Sequence, residues 1–213
     1  MSTAPDVQGP VAAPGPDVPE SAPELVRAFE GLEKMGETEV VWGGGTIPIR
    51  VTSYFCDAFP TLEQVSSVRC IVFRGDAVLV VREGEQGERA HVVPGGRREP
   101  GESVRQTLER ELLEEIGWTV YEPRLIGVVW LRHLRPQPPD RPVDPRWYPD
   151  FVWLIHAAEA AEERPEAVIA GHPEGVPGFV PLAEVDALPL GEESRLFLRR
   201  VLEVTGRGSD AGA

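Results

Sequence analysis

The spacing of apolar and polar positions changes character along the chain, and each change marks an element. Leu25, Val26, Phe29 and Leu32 recur at helical intervals behind Ser21 and Glu24, whose separation is that of a capping box, so a short amphipathic helix is predicted near 22–35. Gly43-Gly44-Gly45 interrupts the pattern, and 47–54 alternates as an accessory strand. From Ser66 the chain turns β-rich. Segments 68–73 and 77–81 flank Arg74-Gly75-Asp76, which suits a hairpin turn, and 90–93 leads into Pro94-Gly95-Gly96. Ser103 with Gln106 has capping spacing and Gly117 supplies a stop, so a helix is predicted over 104–116. Strands near 124–133 and 150–158, joined by the proline-rich connection 135–149, precede a last strand at 178–180 and a helix near 192–204. Hairpins combined with helices predict the α/β class, an α/β/α sandwich around a mixed sheet built largely from antiparallel hairpins.

Composition divides the chain further. Six prolines between Pro5 and Pro23 oppose both helix and ladder, which predicts a disordered tail over 1–21. The helix and accessory strand then occupy 22–62, the main domain 63–205, and a flexible C-terminus 206–213. The formal net charge of −14 repels phosphate polymers, so no nucleic acid partner is expected, and a small phosphorylated substrate would need a cation as intermediary. No run approaches the roughly 20 apolar residues that cross a bilayer, which excludes a membrane role for helices. Cys56 and Cys70 are too few for a disulfide framework, and the N-terminus lacks a basic segment followed by an apolar one. A reducing, cytoplasmic compartment is expected.

The helix over 104–116 carries the candidate chemistry. At 100° per residue, Val104, Leu108, Leu112 and Ile116 share one arc, with Glu111 and Glu115 along its edge. Those two acids are about 40° apart around the axis, and Glu114 is about 100° from Glu115. The three are expected to converge on one volume. Like charges so placed destabilise a helix unless a cation neutralises them, and all-oxygen donors favour Mg²⁺ or Mn²⁺ over Zn²⁺.

Gly96, Glu102, Arg110, Glu111, Leu112, Glu114, Glu115 and Gly117 stand at the spacing of the Nudix box, and the chain resembles the Nudix hydrolase family over roughly 66–204. Seven fixed residues match by chance with a probability on the order of 10⁻⁸ per starting position, so the motif is specific. Trp118 departs from the family's usual aliphatic residue, which bears on packing rather than on chemistry. The resemblance implies a Nudix-type fold and hydrolysis of the diphosphate linkage of a nucleoside diphosphate joined to another moiety, such as an ADP-ribose-like compound, a nucleotide sugar or a nucleoside triphosphate. It implies that Glu111, Glu115 and Glu114 hold the metal together with the Gly96 carbonyl. Glu102 and Arg110 would form a structural pair.

The resemblance implies that a carboxylate either of the box or of a later loop takes the water's proton, and in the loop Glu174 is placed ahead of Glu163 and Glu166. Arg132, His133, Arg135, Arg141, Arg146, Trp147 and Tyr148 cluster around the proline-rich connection, offering cations for phosphate and aromatic faces for a base or ribose. His91, His156 and His172 lack metal-site spacing, and the two cysteines read as small buried apolar groups. Two other readings compete: a nucleotide-sensing module of the same fold without turnover, and a purely structural acidic helix. The N-terminal helix and strand could also cover a sheet edge or exchange between subunits in a homodimer.

Overall fold

Proline at its first position starts the helix α1 (Pro23–Phe29), since the missing N–H would have had no partner there. The computed structural model describes residues 15, 17–84, 88–137, 147–168 and 175–207, and the chain divides into two compact units. One comprises 1–66 with 127–154, the other 67–126 with 155–213.

In the first unit, the capping box expected at Ser21 does not form. Ala22 is the N-cap and makes no side-chain bond, while the Ser21 hydroxyl accepts from Arg132. The helix also stops at Phe29 instead of reaching 35. Gly31 takes a left-handed φ of 78°, and the chain turns into β1 (Glu33–Trp42). This early stop places the Phe29 ring 4.6 Å from Trp130, 4.9 Å from Tyr54 and 5.0 Å from Phe59, so apolar contact overrides helical periodicity. β1 pairs antiparallel with β2 (Ile47–Phe55), and the connection carries three successive left-handed glycines, Gly43, Gly44 and Gly45. β2 in turn pairs with the later part of β7 (Trp118–His133), Ile49 opposite His133. Ile49, Val51, Val128, Leu131 and Phe151 fill this unit's core.

Asp150, at the start of β8 (Asp150–Glu163), is the buried carboxylate of this unit among the described residues. It accepts from Trp130 Nε1 at 2.7 Å and from Arg132 Nη1 at 2.9 Å. Arg132 also donates through Nη2 to the Pro19 carbonyl at 2.9 Å. The same guanidinium therefore neutralises a buried acid and holds the end of the proline-rich segment against β7.

In the second unit, β3 (Val65–Arg74) and β4 (Ala77–Glu83) form the predicted hairpin. β4 carries β5 (Arg89–His91) and β9 (Val176–Pro181) as further antiparallel partners. β3 also pairs with β6 (Gly95–Arg97), Ser67 opposite Arg97 and Arg69 opposite Gly95. That short strand was not expected, because two glycines carry no alternation to read. A parallel bridge joins Ala90 to Leu190, so the unit mixes both directions, in keeping with the α/β class and mixed sheet expected.

The helix α2 (Val104–Ile116) has the predicted bounds, with both halves of its capping box made and Gly117 left-handed at φ 69°. Leu108 and Leu112 are wholly buried, each contributing about 2 kcal/mol through loss of apolar surface to water. The last helix, α3 (Glu192–Thr205), buries Phe197, Leu198 and Val201. Trp118 packs edge-on against Phe179 at 5.2 Å, with the Arg74 guanidinium 4.1 Å above the Phe179 ring, so the bulkier residue finds an aromatic partner. No helix among the described residues is long and apolar enough to cross a membrane.

Candidate metal and diphosphate site

The segment from Pro94 to Ser103, which includes β6, and the helix α2 bring the box residues together within the second unit. β3 fixes one side of the loop. Its Ser67 hydroxyl donates to the Gly96 carbonyl at 2.7 Å, and Cys70 N–H donates to the Pro94 carbonyl at 2.9 Å. Gly95 adopts φ 131°, a conformation closed to other residues, and a Cβ there would lie 2.7 Å from the Arg69 Cα. That conformation points the Gly95 N–H at the Glu115 carboxylate, which accepts it.

Glu111 and Glu115 lie on the helix face that the sequence assigns them, at 8% and 5% exposure. Gly96 faces Glu111 so closely that an added Cβ would stand 2.6 Å from its carboxyl carbon. The expected convergence of Glu111, Glu114 and Glu115 on one point is not the arrangement observed. Arg110 Nη1 sits between two of them, donating to Glu111 at 2.8 Å and Glu114 at 3.1 Å, while Glu115 turns to the Gly95 N–H. Among the described residues, no three His, Cys, Asp or Glu side chains are gathered to hold a metal. The helical wheel gave positions and omitted the neighbouring guanidinium, which bonds Glu111 and Glu114.

Glu102 and Arg110 form a bidentate pair, Nε to Oε1 at 2.7 Å and Nη2 to Oε2 at 3.0 Å. Arg110 Nη2 also donates to the Arg97 carbonyl, and Thr107 Oγ1 and Glu99 N–H donate to Glu102. The Arg110 guanidinium holds the Glu102 carboxyl down at about 2, and these acids push the Arg110 guanidinium above its ordinary range. Thr107 and Ser67 escaped sequence reasoning. Only the helix register and the β3–β6 pairing reveal their partners.

The donor set fits a hard divalent cation. Two buried carboxylates one helical turn apart, with a third on the same helix, are oxygen donors throughout, and no sulfur or imidazole stands among them. At Gly96 the lack of a side chain leaves room for the Glu111 carboxylate against the loop backbone.

The remaining candidates lie elsewhere. Arg132 is engaged by Asp150 and Pro19, and His133 is buried, its ring 5.2 Å from Tyr148 and 5.9 Å from Phe151. Burial lowers its proton affinity. Trp147, half-buried, packs 5.5 Å from Phe151. These residues belong to the first unit. Arg141, Arg146, His172 and Glu174 lie outside the described residues, and Glu163 and Glu166 are exposed. His91 is 3.6 Å from Glu83, and His156 is buried with its pKa pushed down to about 4. Burial pushes the Cys56 thiol up to about 11 and Cys70 higher still, so neither supplies a thiolate nucleophile at neutral pH.

Residues 63–201 match the family model of the NUDIX domain. Over 67 residues the chain is 41% identical to the uncharacterized Nudix hydrolase YvcI of Bacillus subtilis (strain 168), a stretch covering 32% of this chain and 40% of that protein. The match thus spans less than half the length of this curated relative. Among solved structures, a NUDIX hydrolase from Nitrosomonas europaea is similar at a TM-score of 0.48 and 17% identity, covering 67% of this chain and 90% of that one. A Bacillus subtilis pyrophosphohydrolase is similar at a TM-score of 0.49 and 16% identity, covering 74% of this chain and 94% of that one.

Proposed function

Because the chain belongs to the NUDIX domain family, we propose that it is a hydrolase cutting the diphosphate linkage of a nucleoside diphosphate joined to another moiety, with Mg²⁺ or Mn²⁺ as cofactor. The observation that carries the reading is the burial of two carboxylates, Glu111 and Glu115, one helical turn apart against the Gly95-Gly96 backbone. Burying two acids is costly, and a purely structural helix would place aliphatic residues there.

Glu111, Glu115 and Glu114 would hold the metal, with the Gly96 carbonyl beside them. When bound, the cation neutralises the diphosphate and lowers the pKa of an attacking water. The chain's own residues prepare that site. Glu102 and Arg110 clamp the loop to the helix, Ser67 fixes the Gly96 carbonyl, and the glycine backbone lets a phosphate chain approach closely. Glu174 is proposed as the group that takes the water's proton.

Recognition of the nucleoside is proposed for Trp147, Tyr148 and Arg146. Arg132, bonded to Asp150, and His133, beside Tyr148, belong to the same proposed recognition set. A cytoplasmic setting, the division of the chain at 22 and 63, and a homodimer that uses residues 22–62 belong to the same proposal.

The test is a substrate panel of ADP-ribose, nucleotide sugars, dinucleoside polyphosphates and nucleoside triphosphates with purified protein and Mg²⁺ or Mn²⁺. Metal-dependent release of a nucleoside monophosphate or pyrophosphate is expected. Saturable nucleotide binding with no product would establish the sensing module instead.

A further inference from the structure

Arg110 divides its donors between two tasks. Nε and Nη2 hold Glu102 and the Arg97 carbonyl, whereas Nη1 alone bridges Glu111 Oε1 at 2.8 Å and Glu114 Oε2 at 3.1 Å. Those two acids are among the ones proposed to hold the divalent cation, so a rivalry for their oxygens rests on that reading and deepens it. A carboxylate that accepts a charge-assisted bond from a guanidinium is less able to serve a metal, because both cations draw on the same oxygen electrons and repel each other. Glu111 meets that rivalry almost without exposed surface.

The geometry points to Arg110 Nη1 as an internal competitor for the metal's acids, held in check by Glu102. A cation gains Glu111 and Glu114 by displacing Nη1, while Nε and Nη2 stay on Glu102. Glu102 then tunes metal affinity without touching the metal. Its bidentate hold restrains the guanidinium, and Thr107 and the Glu99 N–H keep Glu102 itself in place. Released from Glu102, the guanidinium would keep the Arg97 carbonyl and lean further on Glu111 and Glu114.

A simple clamp makes a different prediction. If Arg110 and Glu102 only shape the loop, breaking either partner loosens the site, and both lesions weaken metal binding. Competition predicts opposite signs. Arg110→Gln removes the rival and Glu102→Gln sets it loose.

Mn²⁺ binding to the full chain, read without substrate from the electron paramagnetic resonance of unbound Mn²⁺, separates the two. Competition predicts that Arg110→Gln binds Mn²⁺ about tenfold more tightly, the size of one charge-assisted hydrogen bond, and that Glu102→Gln binds it severalfold more weakly. Shifts of the same sign overturn the competition and leave the metal reading standing. A wild-type protein that takes up no Mn²⁺ overturns both. Should Arg110→Gln fail to fold by circular dichroism, the wild type still decides. The Arg110 side-chain ¹⁵N resonances are expected to move with the midpoint of a Mg²⁺ titration, and resonances unmoved at saturating Mg²⁺ overturn the proposal.

Discussion

Gly96 and Glu111 stand so close that a methyl group on the glycine would lie 2.6 Å from the glutamate's carboxyl carbon. The obstructed atoms are the far end of a flexible side chain, which can swing away. Gly96→Ala is therefore expected to cost little stability, about 1 kcal/mol or less, while displacing the Glu111 carboxylate and weakening Mn²⁺ binding and turnover together. Gly95→Ala meets backbone instead, at the Val68 carbonyl and the Arg69 Cα, and must also keep φ 131°. It is expected to cost several kcal/mol, on the order of 2–4, through strain that no rotamer relieves. Thermal denaturation beside metal titration checks the contrast, and a Gly96→Ala protein with unaltered Mn²⁺ affinity contradicts it.

The Glu102 and Arg110 pair sets an acid limb on stability. Glu102 titrates at about 2 in the folded chain, mainly because Arg110 is bonded to it, against an ordinary value of 4.5. The unfolded chain therefore takes up this proton first. The pair's contribution is complete above pH 4.5 and fades as pH falls through about 2. Discounted for screening by water at a partly exposed pair, it amounts to about 1–2 kcal/mol. Denaturant melts between pH 2 and 5 should show a shallower slope in Glu102→Gln than in the wild type.

His156 sets a second limb at milder pH. Burial holds its folded pKa at about 4, below the ordinary 6.5, so the unfolded chain binds the proton preferentially between those values. Stability should fall as pH drops from 6.5 to 4, by about 3 kcal/mol at most. His156→Leu should flatten that interval. A variant that retains the full slope would assign it to other groups.

Asp150 and Arg132 tie the proline-rich segment to the first unit. Asp150→Ala leaves a largely buried guanidinium without its acid and is expected to cost about 3 kcal/mol. Because Arg132 also carries Pro19 and Ser21, proteolysis within residues 17–22 should accelerate in the same variant. Cleavage there at the wild-type rate would count against the tie.

Elements were legible where a local signal fixed them. Ser103, Gln106 and Gly117 bound α2 to the residue, since caps act within one turn. Phe29 shows the converse. Its ring partners Tyr54, Phe59 and Trp130 are distant in sequence, so the end of α1 followed contacts that periodicity does not contain. At the site, the positions of Glu111 and Glu115 followed from helix geometry alone. The role of Arg110 Nη1 did not, because a guanidinium reaching across one turn to two acids is a matter of rotamers. Likewise, Ser67 meets Gly96 only through strand register, and Arg132 reads as a phosphate cation until Asp150 stands beside it.

The central claim is that Glu111 and Glu115 hold the cation on which diphosphate hydrolysis depends. Its most direct test is kcat/KM of the wild type, Glu111→Gln and Glu115→Gln on the best substrate of the panel, across a Mg²⁺ titration, with folding of each variant checked by circular dichroism. Each folded variant is expected to lose at least about a hundredfold, equivalent to about 3 kcal/mol of transition-state stabilisation, and to need more Mg²⁺ for what remains. Folded variants that turn over at the wild-type rate with the wild-type Mg²⁺ midpoint would contradict the claim.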